Sequence, residues 1–240
     1  MADERTKPIL PGTAATDYER YLRTDELFAL QKSPADVVHR DEHLFQTVHQ
    51  SSELWLKLAC LEIDDAAALI ARDAVAAAVR LVRRADHCMS LITAQLHVLD
   101  HLSPADYAVV RTALGHGAGF DSPGFRRVHH SAPPLGDALH ALLRRTGVTL
   151  LDVYRASSAH EDLYQLAEAM ITFDERVILW RFHHLKVVER IIGGNVIGTQ
   201  GTPVEVLGKR IDVRFFPDLW TVRDEITRES PLGADGHGNR

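Results

Sequence analysis

The sequence predicts an all-α, single-domain helical bundle. Three observations carry this. Three long runs place apolar residues at three- and four-residue steps, the spacing of one helix face. Strand signals are scarce, and only Val204–Val213 hints at a short hairpin. The chain has 240 residues and 45% apolar content, enough for one full-sized core.

Composition narrows the function classes. Net charge is −6 with no basic block, which argues against a nucleic-acid surface. No apolar run reaches 18 residues, so no membrane span is expected. The N-terminal stretch lacks the apolar core of a secretory signal. The two cysteines, Cys60 and Cys88, form no CxxC or CxxCH. They support neither a disulfide framework nor a thiolate metal site nor covalent haem attachment, and a reducing, cytoplasmic setting fits best. Fourteen histidines invite a search for metal chemistry.

Residues 1–16 are polar, with Pro8, Pro11 and Gly12, and read as a flexible arm. Thr16-Asp17 can cap a helix over Tyr18–Gln31. Tyr18, Tyr21 and Leu22 form an aromatic-aliphatic face there, suited either to padding a core or to closing a pocket. Ser33-Pro34 breaks the chain. A helix on the order of 50 Å then spans Val38–Arg72 at 1.5 Å per residue. Phe45, His49, Ser52 and Leu56 share one of its faces. Glu53 and Lys57 read as an ordinary i,i+4 surface pair.

Asp73 opens a second long helix through Leu99. His97 and His101 are four apart, but with no third ligand nearby they read as a solvated helix end. Ser103-Pro104 caps a short helix carrying Tyr107 and Arg111 on one face. A guanidinium there can pair with a surface acid or fork onto a ligand carboxylate. Residues 115–126 are a glycine-rich turn without the Gly-Lys-Ser/Thr of a phosphate loop. Pro133-Pro134 reads as a break before a short amphipathic helix at 135–147.

The third long helix spans 160–193. Val177, Trp180, His184, Val187, Val188 and Ile191 share its apolar face, and His183 points away. A neutral imidazole in an apolar wall needs a hydrogen-bond partner or a metal, and spacing alone does not choose. A loop containing Thr199 follows, then a short helix from Phe215 to Arg223. Residues 17–229 form the domain, and 230–240 read as a disordered tail.

Several common sites are excluded by spacing. HExxH, the Glu-x-x-His pairs of di-iron bundles and GxSxG are all absent. Two histidines on the apolar faces of two long helices remain. A haem uses such a pair, one imidazole on iron and a pocket opposite.

The chain resembles the tryptophan 2,3-dioxygenase superfamily of b-type haem proteins. Asp41-Glu-His-Leu-Phe-Gln-Thr-Val-His-Gln-Ser-Ser-Glu-Leu-Trp-Leu-Lys57 resembles its distal-helix motif. Tyr107-Ala-Val-Val-Arg111 and Ala118-Gly-Phe-Asp-Ser122 resemble its Tyr-x3-Arg and Ser-Gly-Phe-Gln-Ser elements. Trp180-Arg-Phe-His-His184 resembles the axial-ligand helix. Gly198-Thr-Gln-Gly, Phe216-Pro-Asp-Leu-Trp220 and the arm Tyr18-Glu-Arg-Tyr-Leu-Arg23 match further motifs. The resemblance covers roughly residues 17–225.

The resemblance implies a bundle enclosing haem b, with O2 as co-substrate. His184 would ligate the iron, with Trp180 and Ala118 beside the haem. His49 would accept a hydrogen bond from the indole N–H, and Phe45 would stack on the indole. Arg111 would bind the substrate carboxylate with Tyr107 and Thr199. Tyr18, Tyr21 and Leu22 would close the pocket of a neighbouring subunit in a homotetramer. The implied reaction is cleavage of L-tryptophan to N-formylkynurenine. Alternatives are monooxygenation of a substituted tryptophan, such as β-methyltryptophan, to an oxindole, and a non-catalytic haem sensor.

The chain departs from the family at Arg40, in place of a histidine, at Ala118, in place of a serine, and at Asp121, in place of a glutamine. The loop Gly198-Thr-Gln-Gly-Thr-Pro-Val204 differs too. The resemblance places these positions near the substrate's amino-acid end or its access route.

Overall fold

Four amphipathic helices of 24 to 32 residues make the frame, and apolar periodicity decides which faces meet. The structure is a computed structural model, and it describes residues 7–198, 201 and 203–229. Among these, ten α-helices occur in the order α1 (Asp17–Leu22), α2 (Thr24–Ala29), α3 (Glu42–Ile70), α4 (Val75–Leu99), α5 (Pro104–Val110), α6 (Pro123–Thr146), α7 (Leu150–Arg155), α8 (Glu161–Ile192), α9 (Glu205–Gly208) and α10 (Pro217–Glu229). No helix of the described residues is long and apolar enough to cross a membrane.

α3 packs on α4 and α6, and α4 packs on α8. The main core joins Leu56, Ile63 and Ile70 of α3 to Val82, Met89 and Ile92 of α4. Leu135 and Leu139 of α6 and Leu166, Met170 and Phe173 of α8 complete it. A smaller cluster at the other end joins Val48, Leu96, Leu99, Val187 and Ile191. Trp180 packs against both clusters and so marks the seam between them.

Several expectations are corrected. The helix expected over Tyr18–Gln31 is two helices. Arg23 takes a left-handed conformation (φ 54°), donates its N–H to Glu19 and turns the chain. The long helix expected from Val38 starts at Glu42. The Val38 N–H is held by the Glu42 carboxylate, which also pairs with Lys32, and the intervening residues form a turn. Asp73 does not cap α4. It adopts φ 59° and binds Arg145 instead.

Pro133-Pro134 does not break the chain, because α6 runs through it. Both prolines are exposed, while Val128, Ala132, Leu135 and Leu139 bury the opposite face. That burial outweighs two lost backbone hydrogen bonds. The expected hairpin at Val204–Val213 is helix α9 with flanking turns, and among the described residues the only β contact is an isolated Ile197–Pro203 bridge. Val204 is buried and Leu207 and Ile211 are half-buried, so the apolar period is three to four, not two.

Candidate active site

His49 and Phe45 occupy successive turns of α3, which is why their rings stack, with centroids 3.9 Å apart. His49 Nδ1 lies 2.7 Å from the Phe45 carbonyl oxygen. A carbonyl only accepts, so Nδ1 carries the proton and donates. In the neutral ring Nε2 is then left as an acceptor. His49 keeps open surface, yet enough protein surrounds it that desolvation lowers its pKa, with Glu53 opposing. Accessible but desolvated is the condition of a group lining a cleft.

α5 starts at Pro104 with Ser103 as its cap, which accepts the Asp106 N–H at 3.1 Å. It delivers Tyr107, whose ring centroid lies 6.0 Å from that of Phe45. Burial raises the Tyr107 pKa, with Arg111 opposing. Arg111 is half-buried, and among the described residues it has no ion-pair partner. Phe45, His49, Tyr107 and Arg111 are thus brought together.

α8 supplies the other wall. The Trp180 and His184 rings stack at 4.8 Å, and Phe125 of α6 stacks on Trp180 at 3.8 Å. Desolvation lowers the His184 pKa to about 4, with a smaller push from His49. The imidazole is therefore neutral at pH 7, with a lone pair to give.

Two buried donors at this wall lack hydrogen-bond partners among the described residues: Trp180 Nε1 and Arg181 Nη2. Periodicity does not single out Arg181. Its other nitrogen donates to the Val213 carbonyl, and its guanidinium lies over the Phe215 ring, 5.3 Å from the centroid. Desolvation lowers its pKa, with Asp174 opposing. Asp174, also missed by sequence reasoning, is fully buried. It accepts from Phe215 N, Phe216 N and Trp220 Nε1 at 2.9–3.2 Å, pinning the start of α10 to α8.

This donor set fits an iron porphyrin. A neutral imidazole can ligate iron, an open histidine faces the same space, and an unsatisfied guanidinium suits a porphyrin carboxylate. His183 sits apart, edge-on to His97 at 5.9 Å. Ala118 is half-buried at the head of a 3-10 turn, its N–H held by Asp121 at 2.9 Å. Thr199 lies outside the described residues. The structure does not bring Tyr18, Tyr21 and Leu22 into this site. They are 70%, 78% and 45% exposed, and α1 buries nothing.

Comparison with known proteins agrees with the geometry. The family model described as Tryptophan 2,3-dioxygenase matches residues 8–140 and 135–226. A tryptophan 2,3-dioxygenase of Bacillus anthracis is 31% identical over 280 aligned positions, spanning 93% of this chain and 99% of its own. That of Caulobacter vibrioides is 32% identical, spanning 87% of this chain and 98% of its own. That of Kineococcus radiotolerans is 31% identical, spanning 94% and 98%. The chain belongs to the tryptophan 2,3-dioxygenase family of haem-dependent oxygenases.

Proposed function

We propose that this protein inserts both atoms of O2 across the C2–C3 bond of L-tryptophan, giving N-formylkynurenine. The observation that carries this reading is the pairing of two complementary groups at one site. His49 Nε2 is poised to accept a hydrogen bond, and Arg111 is a half-buried cation without an acid among the described residues. An indole N–H and an α-carboxylate are what these two groups select.

Bound haem supplies the ferrous centre that activates O2. His184 would hold its iron, with Trp180 stacked on the imidazole, and Arg181 would take a porphyrin carboxylate. The other residues bind and orient. Phe45 would stack on the indole, and His49 would fix its rotation through the N–H. Arg111, with Tyr107 and Thr199, would clamp the carboxylate. Such positioning contributes several kcal/mol without any acid or base. Ala118 would line the haem side. Tyr18, Tyr21 and Leu22, all exposed among the described residues, would cover the pocket of a neighbouring copy in a homotetramer and exclude water. The buried thiols Cys60 and Cys88 suit a reducing cytoplasm.

One observation favours a second reading. Ala118 offers no hydroxyl where the family has a serine, so the haem side of the pocket presents a less polar wall to the substrate. Monooxygenation of a substituted tryptophan to an oxindole would suit it, with a two-electron donor reducing the second oxygen atom to water. Mass spectrometry of the product from L-tryptophan and 18O2 separates the two. Two labelled atoms support the proposal, one supports the alternative, and no product from tryptophan overturns it.

A further inference from the structure

Glu53 lies one turn beyond His49 on α3, with Lys57 at the spacing of an i,i+4 pair. The structure gives it other partners. One carboxylate oxygen accepts the Ser122 hydroxyl, and the other accepts the Gly124 N–H at 2.9 Å. Ser122 is also the cap of α6, its Oγ accepting the Phe125 N–H at 3.2 Å. The carboxylate therefore sits at the positive end of a 24-residue helix and closes its first turn.

The fit is specific to glycine at 124. A Cβ there would lie 2.6 Å from Glu53 Oε2 and 2.7 Å from Leu56 Cβ. The chain approaches so closely only because residue 124 has no side chain. Phe125 follows directly and stacks on Trp180, which stacks on His184. Ser122 also lies within the glycine-rich segment containing Ala118, whose start turns at Gly115 (φ 57°).

We infer that Glu53 is a positioning residue, which through Ser122 and Gly124 fixes both the 115–122 loop and the Phe125–Trp180–His184 stack. The inference deepens the proposed function by assigning a device that links the substrate wall to the iron-ligand wall of that same site. The link is electrostatic as well as steric, since the Glu53 charge also acts on His49.

The test uses the haem-loaded full-length protein, its Glu53→Gln and Glu53→Ala variants, and Ser122→Ala. Hydrogen exchange of amides 115–125 should accelerate about tenfold or more in Glu53→Ala and less in Glu53→Gln, which keeps one acceptor. Amides of α4 should be unchanged. The ferrous iron–histidine stretch, read by resonance Raman at full haem content, should shift or broaden in the same order. KM for tryptophan should rise more than kcat falls. Ser122→Ala should reproduce part of each effect. Unchanged exchange at 115–125, or acceleration spread evenly over α3 and α4, overturns the inference. If the unmodified enzyme does not turn over tryptophan, the functional reading fails, while exchange still decides the role of Glu53.

Discussion

The Trp180 indole lies nearly parallel to the His184 imidazole, 14° between planes and 4.8 Å between centroids. The two residues are four apart on α8, so helical geometry sets the pair. Phe125 covers the indole at 3.8 Å. The proposed iron ligand is thus held by a ring stack, not by a carboxylate or carbonyl hydrogen bond among the described residues. His184→Ala should therefore abolish haem retention. His183→Ala, whose ring packs on Phe182 and His97, should retain haem. Pyridine hemochrome assay of both purified variants checks this, and full haem loading in His184→Ala would sink the assignment.

A second prediction concerns pH. His49 is useful as an acceptor only while neutral, and desolvation lowers its pKa below the ordinary 6.5. Protonation then costs activity only as pH falls through that lowered value. The acid limb of kcat/KM should lie below pH 6.5. Glu53 opposes the lowering, so Glu53→Gln should move the limb further down. A limb above 6.5, or one that rises in Glu53→Gln, contradicts the role given to His49.

Assembly gives the third. Tyr18, Tyr21, Leu27, Phe28 and Leu30 are all substantially exposed along α1 and α2 and the residue after them. A patch of this kind on one segment marks an interface. The segment is itself ordered. The Ile9 and Leu10 amides bind Asp17, and Arg20 reaches back to the Leu10 and Ala14 carbonyls. We expect a homotetramer by light scattering, and a Tyr18→Ser/Tyr21→Ser double variant with weakened tryptophan binding but intact haem. A monomer that turns over substrate at the natural rate rules this out.

The frame and the grouping of the candidate residues were legible because they depend on local period. The apolar stripes of α3, α4 and α8 repeat every three to four residues, and half-buried Phe45 and His184 and the more open His49 follow at helical spacing beside them. What could not be read depends on tertiary approach. Glu53 has a lysine four residues away, yet its partners are 69 and 71 residues distant. Asp174 looks like any helix-surface acid until α10 folds onto it. Arg181 shows its unmatched nitrogen only once its surroundings are assembled. Pro133-Pro134 is a strong local breaker overruled by the burial of α6 around it.

The carboxylate clamp is the sharpest test of substrate class. Arg111 follows α5 directly, and its own N–H binds the Tyr107 carbonyl. The two side chains act on one another, and Tyr107 in turn lies beside Phe45. A half-buried guanidinium with no acid beside it among the described residues is available to a ligand, and an amino-acid carboxylate would take it with two parallel hydrogen bonds. Arg111→Ala should leave haem content intact, because His184 stands on another helix. It should cost about 2–5 kcal/mol in kcat/KM for tryptophan. Arg111→Lys should fail nearly as badly, since an ammonium cannot form the planar fork. Tryptamine lacks the carboxylate and should be a poor substrate for the natural enzyme. Arg111→Ala should discriminate far less between tryptamine and tryptophan. The measurement is kcat/KM for both compounds in both proteins. If the natural enzyme accepts tryptamine as readily as tryptophan, Arg111 serves the fold and the amino-acid substrate class is wrong.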